Sequence, residues 1–346
     1  MRKINQLYLL SGVGLKDTVD SAMRAGGVQD EQLRDAMCRY LTQSKSDGTV
    51  KKYYFYFKKW LEFCGKNNMK AVPAQPIHIA LYLTQLLDKE VNFSVISSTI
   101  YSIKWAHNIN GKTDPTENGF VSSLLETARR LRSKKVTKKD VVSSEMLKEL
   151  CSPIVSQACD DLLQVRDVTM ILVAYAGFLR YDELSNLKCC NIKFQSEYFS
   201  LHIESSKTDQ YRSGNEILIA KGESGACPYL MLQKYILLAD IDLTSDHFLF
   251  KPVYRSGKIC KLISKNKPLS YTRTKECLVA RLKSVGPSLN LGLHSLRAGG
   301  ATAAARAGVN ERCLKRHGRW RSDISKDGYI EDSLESRLEI SRKLKL

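Results

Sequence analysis

Residues 294–309, which read HSLRAGGATAAARAGV, constrain the fold more than any other stretch of this 346-residue chain. After its first four residues the stretch is mostly Ala and Gly, so a helix here has few large side chains of its own. Small residues allow such a helix to pack tightly into a core. His294 and Arg297 lie three positions apart, which places both on one helix face. The sequence therefore predicts a closely packed helix that presents two anion-binding groups at one end.

The chain is strongly basic, with 54 Lys and Arg against 36 Asp and Glu and a formal net charge of +18. This excess indicates a polyanionic partner such as nucleic acid, the alternative being a merely basic protein. The ten cysteines contain no C-x-x-C pair and no clustered set of four zinc ligands, which favours free thiols in a reducing compartment. No run approaches the roughly 18 apolar residues of a membrane span, and the N-terminus lacks a signal-peptide pattern. An intracellular protein without membrane contact is expected.

The first third of the chain has the apolar spacing of helices. Residues 1–30 are weakly patterned and are predicted to form a flexible arm, whereas residues 31–132 are predicted to form a helical bundle. One helix is expected to run from an N-cap at Thr49 to about Gly65. Aromatic residues at helical spacing usually pack. The bundle residues predicted to lie in the core or at its rim are Trp60, Trp105 and His107.

The segment RRLRSKKVTKK, residues 129–139, has seven basic residues in eleven and no apolar periodicity. We predict a basic linker between two domains over residues 133–142. A solvated charge run is the alternative, and a nuclear-import signal is a weak match. A linker that follows a phosphate backbone agrees better with the segments on either side. The residues predicted to contact DNA are Lys51, Lys52, Arg129, Arg130, Arg132, Lys134, Lys135, Lys138 and Lys139.

Residues 143–332 are predicted to form the second domain. A long, mostly apolar helix is expected to stop at Gly177, and FLRYDELSNLK to turn into another helix. The alternation of apolar and polar residues in EYFSLHIE and NEILIA predicts two strands, joined by a hairpin loop over residues 205–215. After Pro228 only helices are expected.

Four basic residues of this domain are candidates for anion binding. Arg180 begins a helix, where backbone amides favour an anion, although a salt bridge to Glu183 or Asp182 would also explain it. Lys207 lies in the polar hairpin loop, where a solvated charge is the ordinary alternative. His294 and Arg297 share a helix face, but such a pair alone is more often a surface feature.

Four segments in chain order carry a more specific pattern: GFLRYDEL, SSKTDQ between the two strands, LHSLRAGGATAAARAG, and GRWRSDISKDGYI. In the last of these, Trp320 precedes Tyr329 by nine residues. They resemble the Arg-x-x-Glu box, the lysine-bearing hairpin, the His-x-x-Arg helix and the nucleophile segment of the tyrosine recombinase and integrase family, which includes lambda integrase, Cre and the Xer proteins. The resemblance covers residues 143–332 well and residues 31–132 more loosely.

The resemblance implies a mainly α fold. An N-terminal helical, SAM-like core-binding bundle would precede a C-terminal α+β catalytic domain with a small antiparallel sheet. KTDQYRSG, HGRWRS and DGYIEDSLESRL look most like recombinases of eukaryotic mobile elements, such as DIRS-like retrotransposons and Cryptons, which implies a nuclear location. Residues 333–346 form a predicted tail, which either contacts a neighbouring protomer or packs on its own domain.

The same resemblance implies a mechanism. Tyr329 would attack the scissile phosphate to give a 3′-phosphotyrosine, and Lys207 would protonate the leaving 5′-oxygen. Trp320 stands where a histidine is more usual in the family, and His317 is the alternative donor. No metal or other cofactor is implied, and the expected partners are double-stranded DNA and further copies of the chain in a tetramer on DNA. The implied catalytic residues are Arg180, Glu183, Lys207, His294, Arg297, Trp320 and Tyr329.

Two other functions remain open at this point. A type IB topoisomerase would share the nucleophile and the basic residues, and a domesticated DNA-binding protein would no longer cut. The Arg-x-x-Glu box, the helical bundle and Trp320 favour the recombinase over the topoisomerase. The intact set of residues argues against the domesticated protein. The sequence thus predicts a site-specific recombinase that integrates or excises a mobile element.

Overall fold

The chain divides into two compact units, Met1–Thr137 and Lys138–Leu346, each with its own hydrophobic core. This division falls inside the predicted linker. The computed structural model of the protein describes residues 14–135, 137–156, 160–204, 214–257 and 259–344.

The described part of the first unit is helical. Its core is built where α3 packs on α5 and α4 packs on α6. Trp60, Trp105 and His107 are buried, so their prediction as packed residues is confirmed. The ring of His107 accepts a hydrogen bond from the Ala74 amide at Nε2 (2.8 Å). The helices are α1 (Leu15–Ala25), α2 (Glu31–Gln43), α3 (Asp47–Lys66), α4 (Pro76–Asp88), α5 (Phe93–Ile109) and α6 (Gly119–Arg132).

Two expectations for this unit are wrong. The predicted flexible arm, residues 1–30, contains α1, whose Leu15 and Val19 are buried with Cys38 of α2. Helix α3 begins earlier than a Thr49 cap would place it, because Ser46 is the capping residue. Residues 1–13 of the predicted arm lie outside the described residues.

The second unit surrounds a central apolar helix, α8. This helix is buried along most of its length, contacts α7, α10, α11 and α12, and ends at Gly177 as predicted. The helix therefore ends three residues before Arg180. The helices are α7 (Ser144–Ser156), α8 (Leu162–Ala176), α9 (Tyr181–Ser185), α10 (Pro228–Leu238), α11 (Tyr271–Val285), α12 (Leu293–Arg306), α13 (Glu311–His317), α14 (Asp323–Asp327) and α15 (Leu334–Lys343).

The two predicted strands pair in an antiparallel sheet of order β1-β2-β3. Phe199 of β2 lies opposite Ile219 of β3 and both are buried, which explains the alternation in the sequence. The expectation of helices alone after Pro228 is wrong, because β4 and β5 form a hairpin whose short, mostly exposed strands lack that alternation. The strands are β1 (Ile192–Phe194), β2 (Tyr198–Ile203), β3 (Asn215–Ala220), β4 (Val253–Ser256) and β5 (Ile259–Leu262). The mainly α fold with a small antiparallel sheet is confirmed.

Residues 138–142, the second half of the predicted linker, belong to the second unit. Val142 is buried and its amide donates to Ser295 O (3.3 Å), at the start of α12. The Asp140 amide donates to Asn290 O (3.2 Å). These bonds fix the backbone, so this part of the chain is not a free linker.

The C-terminal tail forms α15, which has no buried residue. Its residues Leu334, Leu338 and Leu344 are all exposed. Docking of the tail on a neighbouring protomer stays a prediction.

Helix α12 packs as closely as its composition predicts. A Cβ added to Gly299 would overlap the carbonyl oxygen of Val142, and one added to Gly300 would overlap that of Tyr175. Both overlaps involve backbone, which cannot move aside as a flexible side chain can. The two glycines therefore set how near α12 lies to α8 and to residue 142.

Replacing either glycine should destabilise the protein. We expect Gly300→Ala to lower the free energy of unfolding by about 1–3 kcal/mol, the usual cost of overpacking. Gly65→Ala in α3 is the control, because nothing lies within 4 Å of an added Cβ there. The control should be neutral or gain up to about 1 kcal/mol from helix propensity. Urea denaturation measures both, and equal stability of the two variants would contradict the close packing.

Candidate active site

Arg180 and Glu183 are fixed together at the start of α9. The carboxylate of Glu183 accepts the Arg180 backbone amide at Oε2 (2.9 Å) and the Arg180 side chain at Oε1 (2.7 Å). The salt bridge considered as an alternative for Arg180 is thus present. The Arg180 side chain is still 15% exposed, whereas that of Glu183 is 1% exposed. Arg180 can be both paired and accessible to a ligand.

Arg297, in the first turn of α12, is fully buried. Its Nη1 donates to Phe178 O, just before the Arg180 box, and its Nη2 donates to Gly318 O (2.5 Å). Each terminal nitrogen of a guanidinium carries two hydrogens, so both keep one for another acceptor. Arg297 therefore joins three segments that are far apart in the sequence.

Trp320 and Tyr329 lie beside this guanidinium, and His294 lies beside Tyr329. The Cζ of Arg297 lies 4.6 Å from the centre of the Trp320 ring and 5.0 Å from that of Tyr329. The Tyr329 ring centre is 5.7 Å from Trp320 and 6.3 Å from His294. The structure thus brings together six of the seven predicted catalytic residues. The seventh, Lys207, lies outside the described residues.

The hairpin that carries Lys207 begins and ends near this cluster. Ile203 pairs with Asn215 at the end of the β2–β3 ladder. Asn215 also lines a cavity of about 440 Å³ with Arg319 and Trp320. The strand that follows the loop therefore starts beside the cluster.

Tyr329 is held in place through its backbone. Its amide donates to Lys326 O (2.9 Å) at the end of α14, and the next residue but one, Glu331, donates its amide to the hydroxyl of Thr302 (3.0 Å). Thr302 lies on α12, the helix that carries His294. Helix α12 thus supports both the nucleophile candidate and the groups beside it.

His317, the alternative to Trp320, is turned towards the backbone. Its Nε2 donates to Ala176 O (2.8 Å) at the end of α8, and its ring packs edge-on against Phe178. Burial lowers the pKa of this imidazole. In contrast, Trp320 is buried with no hydrogen-bond partner for its Nε1 among the described residues. This geometry favours Trp320 as the donor.

Sequence reasoning missed Arg319. Its Nη2 donates to Glu183 Oε2 (2.7 Å), and the side chain is 3% exposed. In GRWRSDISKDGYI only the spacing of Trp320 and Tyr329 carries the resemblance, and nothing in the pattern distinguishes Arg319 from its exposed neighbour Arg321. Its backbone has φ +56°, a left-handed conformation that the sequence does not reveal.

Three arginines share one carboxylate in this cluster, which leaves two positive charges in excess. Burial, and then the charges of Arg180 and Arg319, lower the pKa of Arg297 to about 9. Burial alone would raise the pKa of Glu183, but Arg319 and Arg180 outweigh it and hold the pKa below its usual value. A buried excess of positive charge is stabilised by an anion. The cluster therefore has the electrostatics of a phosphate site.

The basic residues predicted to contact DNA differ in how they are paired. Lys51 and Lys52 are exposed on α3. Arg129 and Arg130 both form ion pairs with Glu126, at 3.6 and 3.4 Å. Exposed pairs of this kind are weak, so both arginines can exchange Glu126 for another anion.

Arg132 and Lys139 have structural contacts. Arg132 donates to Glu90 (2.9 Å) and to Leu87 O (3.2 Å) at the end of α4. Lys139 donates to the side chain of Asn290. Lys134, Lys135 and Lys138 are exposed. Contact of these residues with DNA stays a prediction.

Removing the shared charge should destabilise the unliganded protein. We expect Glu183→Gln to lower the free energy of unfolding by about 3–5 kcal/mol, because the buried Arg297 and Arg319 and the partly exposed Arg180 would lose their carboxylate. Inorganic phosphate should restore part of the loss by binding among them. Glu276→Gln, in an exposed pair with Arg273 (3.8 Å), is the control and should change stability by less than about 0.5 kcal/mol. A Glu183→Gln variant as stable as the control would show that Glu183 does not balance the cluster.

Comparisons with known proteins identify the family of this chain. The phage integrase family pattern matches residues 145–334, more than half of the chain. The integrase/recombinase XerD homolog of Selenomonas ruminantium is 25% identical over 321 residues, which cover 92% of this chain and 91% of that protein. Recombinase Cre of Escherichia phage P1 is 23% identical over 316 residues, 86% of this chain and 88% of Cre.

A solved structure shows the same fold. XerH site-specific recombinase, bound to its palindromic difH substrate, matches with a TM-score of 0.58 and 12% identity, over 98% of this chain and 96% of that chain. Fold, family pattern and the cluster around Arg297 lead to one assignment. The chain belongs to the phage integrase family, the tyrosine recombinases.

Proposed function

We propose that this recombinase cuts and rejoins duplex DNA with Tyr329 as the nucleophile. The observation that carries the proposal is the place of Tyr329, whose ring centre lies 5.0 Å from the Cζ of Arg297 in a cluster with excess positive charge. A phosphate drawn to that charge would lie beside the phenol.

The reaction conserves one phosphoester bond. The phenolic oxygen of Tyr329 attacks the scissile phosphorus and the bond from phosphorus to the 5′-oxygen breaks. A 3′-phosphotyrosine forms, and Lys207 gives the leaving 5′-oxygen its proton. The 5′-hydroxyl of a second DNA reverses the step and releases the tyrosine. Because the phosphotyrosine bond preserves the energy of the broken phosphodiester bond, no nucleotide is consumed.

The other residues stabilise charge on the phosphate oxygens. Arg180 and Arg297 are charged at neutral pH and donate in forks that fit phosphate. His294 adds a further donor, and so does Trp320. The buried indole Nε1 without a partner among described residues supports this role, because such a donor costs stability until a ligand accepts it. Glu183 orients the two arginines and does not react.

The wider role proposed is integration or excision of a mobile element, by a tetramer assembled on DNA. The support is the similarity of KTDQYRSG, HGRWRS and DGYIEDSLESRL to eukaryotic mobile-element recombinases, together with the net charge of +18. A nuclear location would follow from the same similarity. No described helix is long and apolar enough to cross a membrane.

Removing the hydroxyl of Tyr329 tests the nucleophile. Tyr329→Phe keeps the ring and every basic group, so DNA affinity should fall by about 1 kcal/mol or less, the scale of one hydrogen bond. The covalent adduct on a nicked suicide substrate should vanish. Gel separation of protein–DNA adducts measures the second quantity and a binding titration the first.

The matched control is Tyr181→Phe. Tyr181 follows Arg180 and its hydroxyl donates to Leu269 O (2.8 Å), so its phenol is occupied. This variant should keep the adduct, and so should Tyr211→Phe in the hairpin loop. An adduct retained by Tyr329→Phe would overturn the assignment. If the unmutated protein forms no adduct on any element terminus, a DNA-binding protein that no longer cuts is favoured. If a monomer relaxes supercoiled DNA, a topoisomerase is favoured.

A sulfur leaving group tests Lys207. Lys207→Ala should slow cleavage of ordinary DNA by about 10²–10⁴-fold, because it removes the general acid. DNA with a bridging 5′-sulfur needs no such proton and should be cut nearly as fast as by the unmutated protein. If both substrates lose the same factor, Lys207 binds DNA and the acid lies elsewhere.

A further inference from the structure

All four terminal N–H groups of Arg319 donate hydrogen bonds to protein acceptors. Its Nη1 donates to His317 O (2.6 Å) and Gly177 O (3.2 Å), and its Nη2 donates to Phe178 O (3.0 Å) and Glu183 Oε2 (2.7 Å). Two terminal nitrogens carry four hydrogens, and these four acceptors account for them. Arg319 therefore has no terminal donor left for a phosphate, unlike Arg297.

The backbone at Arg319 is of a kind that favours glycine. Arg319 follows α13 with φ +56°, and a residue with a side chain costs about 1 kcal/mol more than glycine in this region. The preceding Gly318 is needed for another reason, since the indole of Trp320 fills the space where its Cβ would lie. Arginine is less favourable than glycine in this backbone conformation, so its presence indicates that the side chain has a function that glycine could not supply.

Arg319 shares its acceptors with the arginines of the site. Phe178 O accepts from Arg319 and from Arg297. Glu183 Oε2 is 2.7 Å from Arg319 and 4.0 Å from Arg297, while Oε1 accepts from Arg180. Displacing Arg319 would free the carboxylate and the carbonyl that orient both other guanidiniums.

We propose that Arg319 is a positioning residue of the active site. It holds Glu183 and the turn at residues 177–178, so that Arg180 and Arg297 face the scissile phosphate, and it does not touch the phosphate itself. The inference rests on the proposed function, because it assigns Arg180 and Arg297 to the phosphate.

The variant Arg319→Lys keeps the charge but cannot reach four acceptors at once. With DNA in excess, we expect its rate of covalent-adduct formation to fall by about 10–100-fold, the scale for groups that orient functional side chains. The dissociation constant for uncleaved DNA should stay within about threefold, because the phosphate contacts outside the active site remain.

Arg319→Gly provides a rescue experiment. Glycine suits the backbone and leaves a space beside Glu183 that a free guanidinium ion can fill. We expect millimolar guanidinium chloride to restore part of the lost adduct rate, and ammonium chloride at the same ionic strength to restore none. A residue that only stabilised the fold would not show this difference at a temperature where the variant stays folded.

Arg166→Lys is the matched control. Arg166 is also a buried arginine of this unit, paired with Asp167 (2.6 Å) and donating to Lys251 O (3.2 Å), away from the residues of the site. It should lower stability while the adduct rate per folded molecule stays unchanged. An unchanged rate in both Arg319 variants would overturn the proposal. A rate loss equal to that of Arg166→Lys, without guanidinium rescue, would also overturn it.

A measurement that needs no cleavage separates this proposal from the proposed function. Inorganic phosphate should raise the melting temperature of the unmutated protein more than that of Arg319→Lys, since the mispositioned arginines bind it less tightly. If the unmutated protein forms no adduct on any DNA, the proposed function fails, and this comparison still decides the role of Arg319. Equal phosphate stabilisation of the two proteins would refute it.

Discussion

The active site depends on the carboxylate of Glu183, a single buried charge shared by three arginines. A buried guanidinium is costly without a partner, and Glu183 with the carbonyls of Gly177, Phe178 and Gly318 supplies the partners. Three guanidiniums and one carboxylate therefore lie together, and the cluster carries a net charge of two positive units. The fold tolerates this excess because nearby hydrogen bonds fix each guanidinium. The excess is also what makes the cluster attractive to a phosphate.

The backbone around this charge is strained at two points. Phe178 and Arg319 both have left-handed φ angles, +47° and +56°, although neither is glycine. Each turns the chain so that backbone carbonyls meet an arginine. Close packing of α12 through Gly299 and Gly300 holds the same region from the other side. Residues kept in such conformations persist where the surrounding contacts determine them, as at binding sites.

Much of the architecture could be predicted because its signals are local. The apolar run of α8, its stop at Gly177 and the alternation in β2 and β3 each depend on neighbours in the chain. Boundaries were harder to predict: Ser46 and Thr49 in SDGT both suit an N-cap, and α3 begins after Ser46. Helix α1 was missed although Leu15, Val19 and Met23 recur at helical spacing, because the pattern extends over only 11 residues.

The sequence by itself predicted six residues of the candidate site, since the order of Arg180, Glu183, His294, Arg297, Trp320 and Tyr329 is a property of the chain. Only the tertiary structure decided how they act on one another. Arg319 becomes part of the site because a left-handed turn after α13 directs it to Glu183, 136 residues away in the chain. His317 does not take the donor role in the site, because its Nε2 donates to Ala176 O. Both outcomes depend on contacts distant in sequence, which no local pattern encodes.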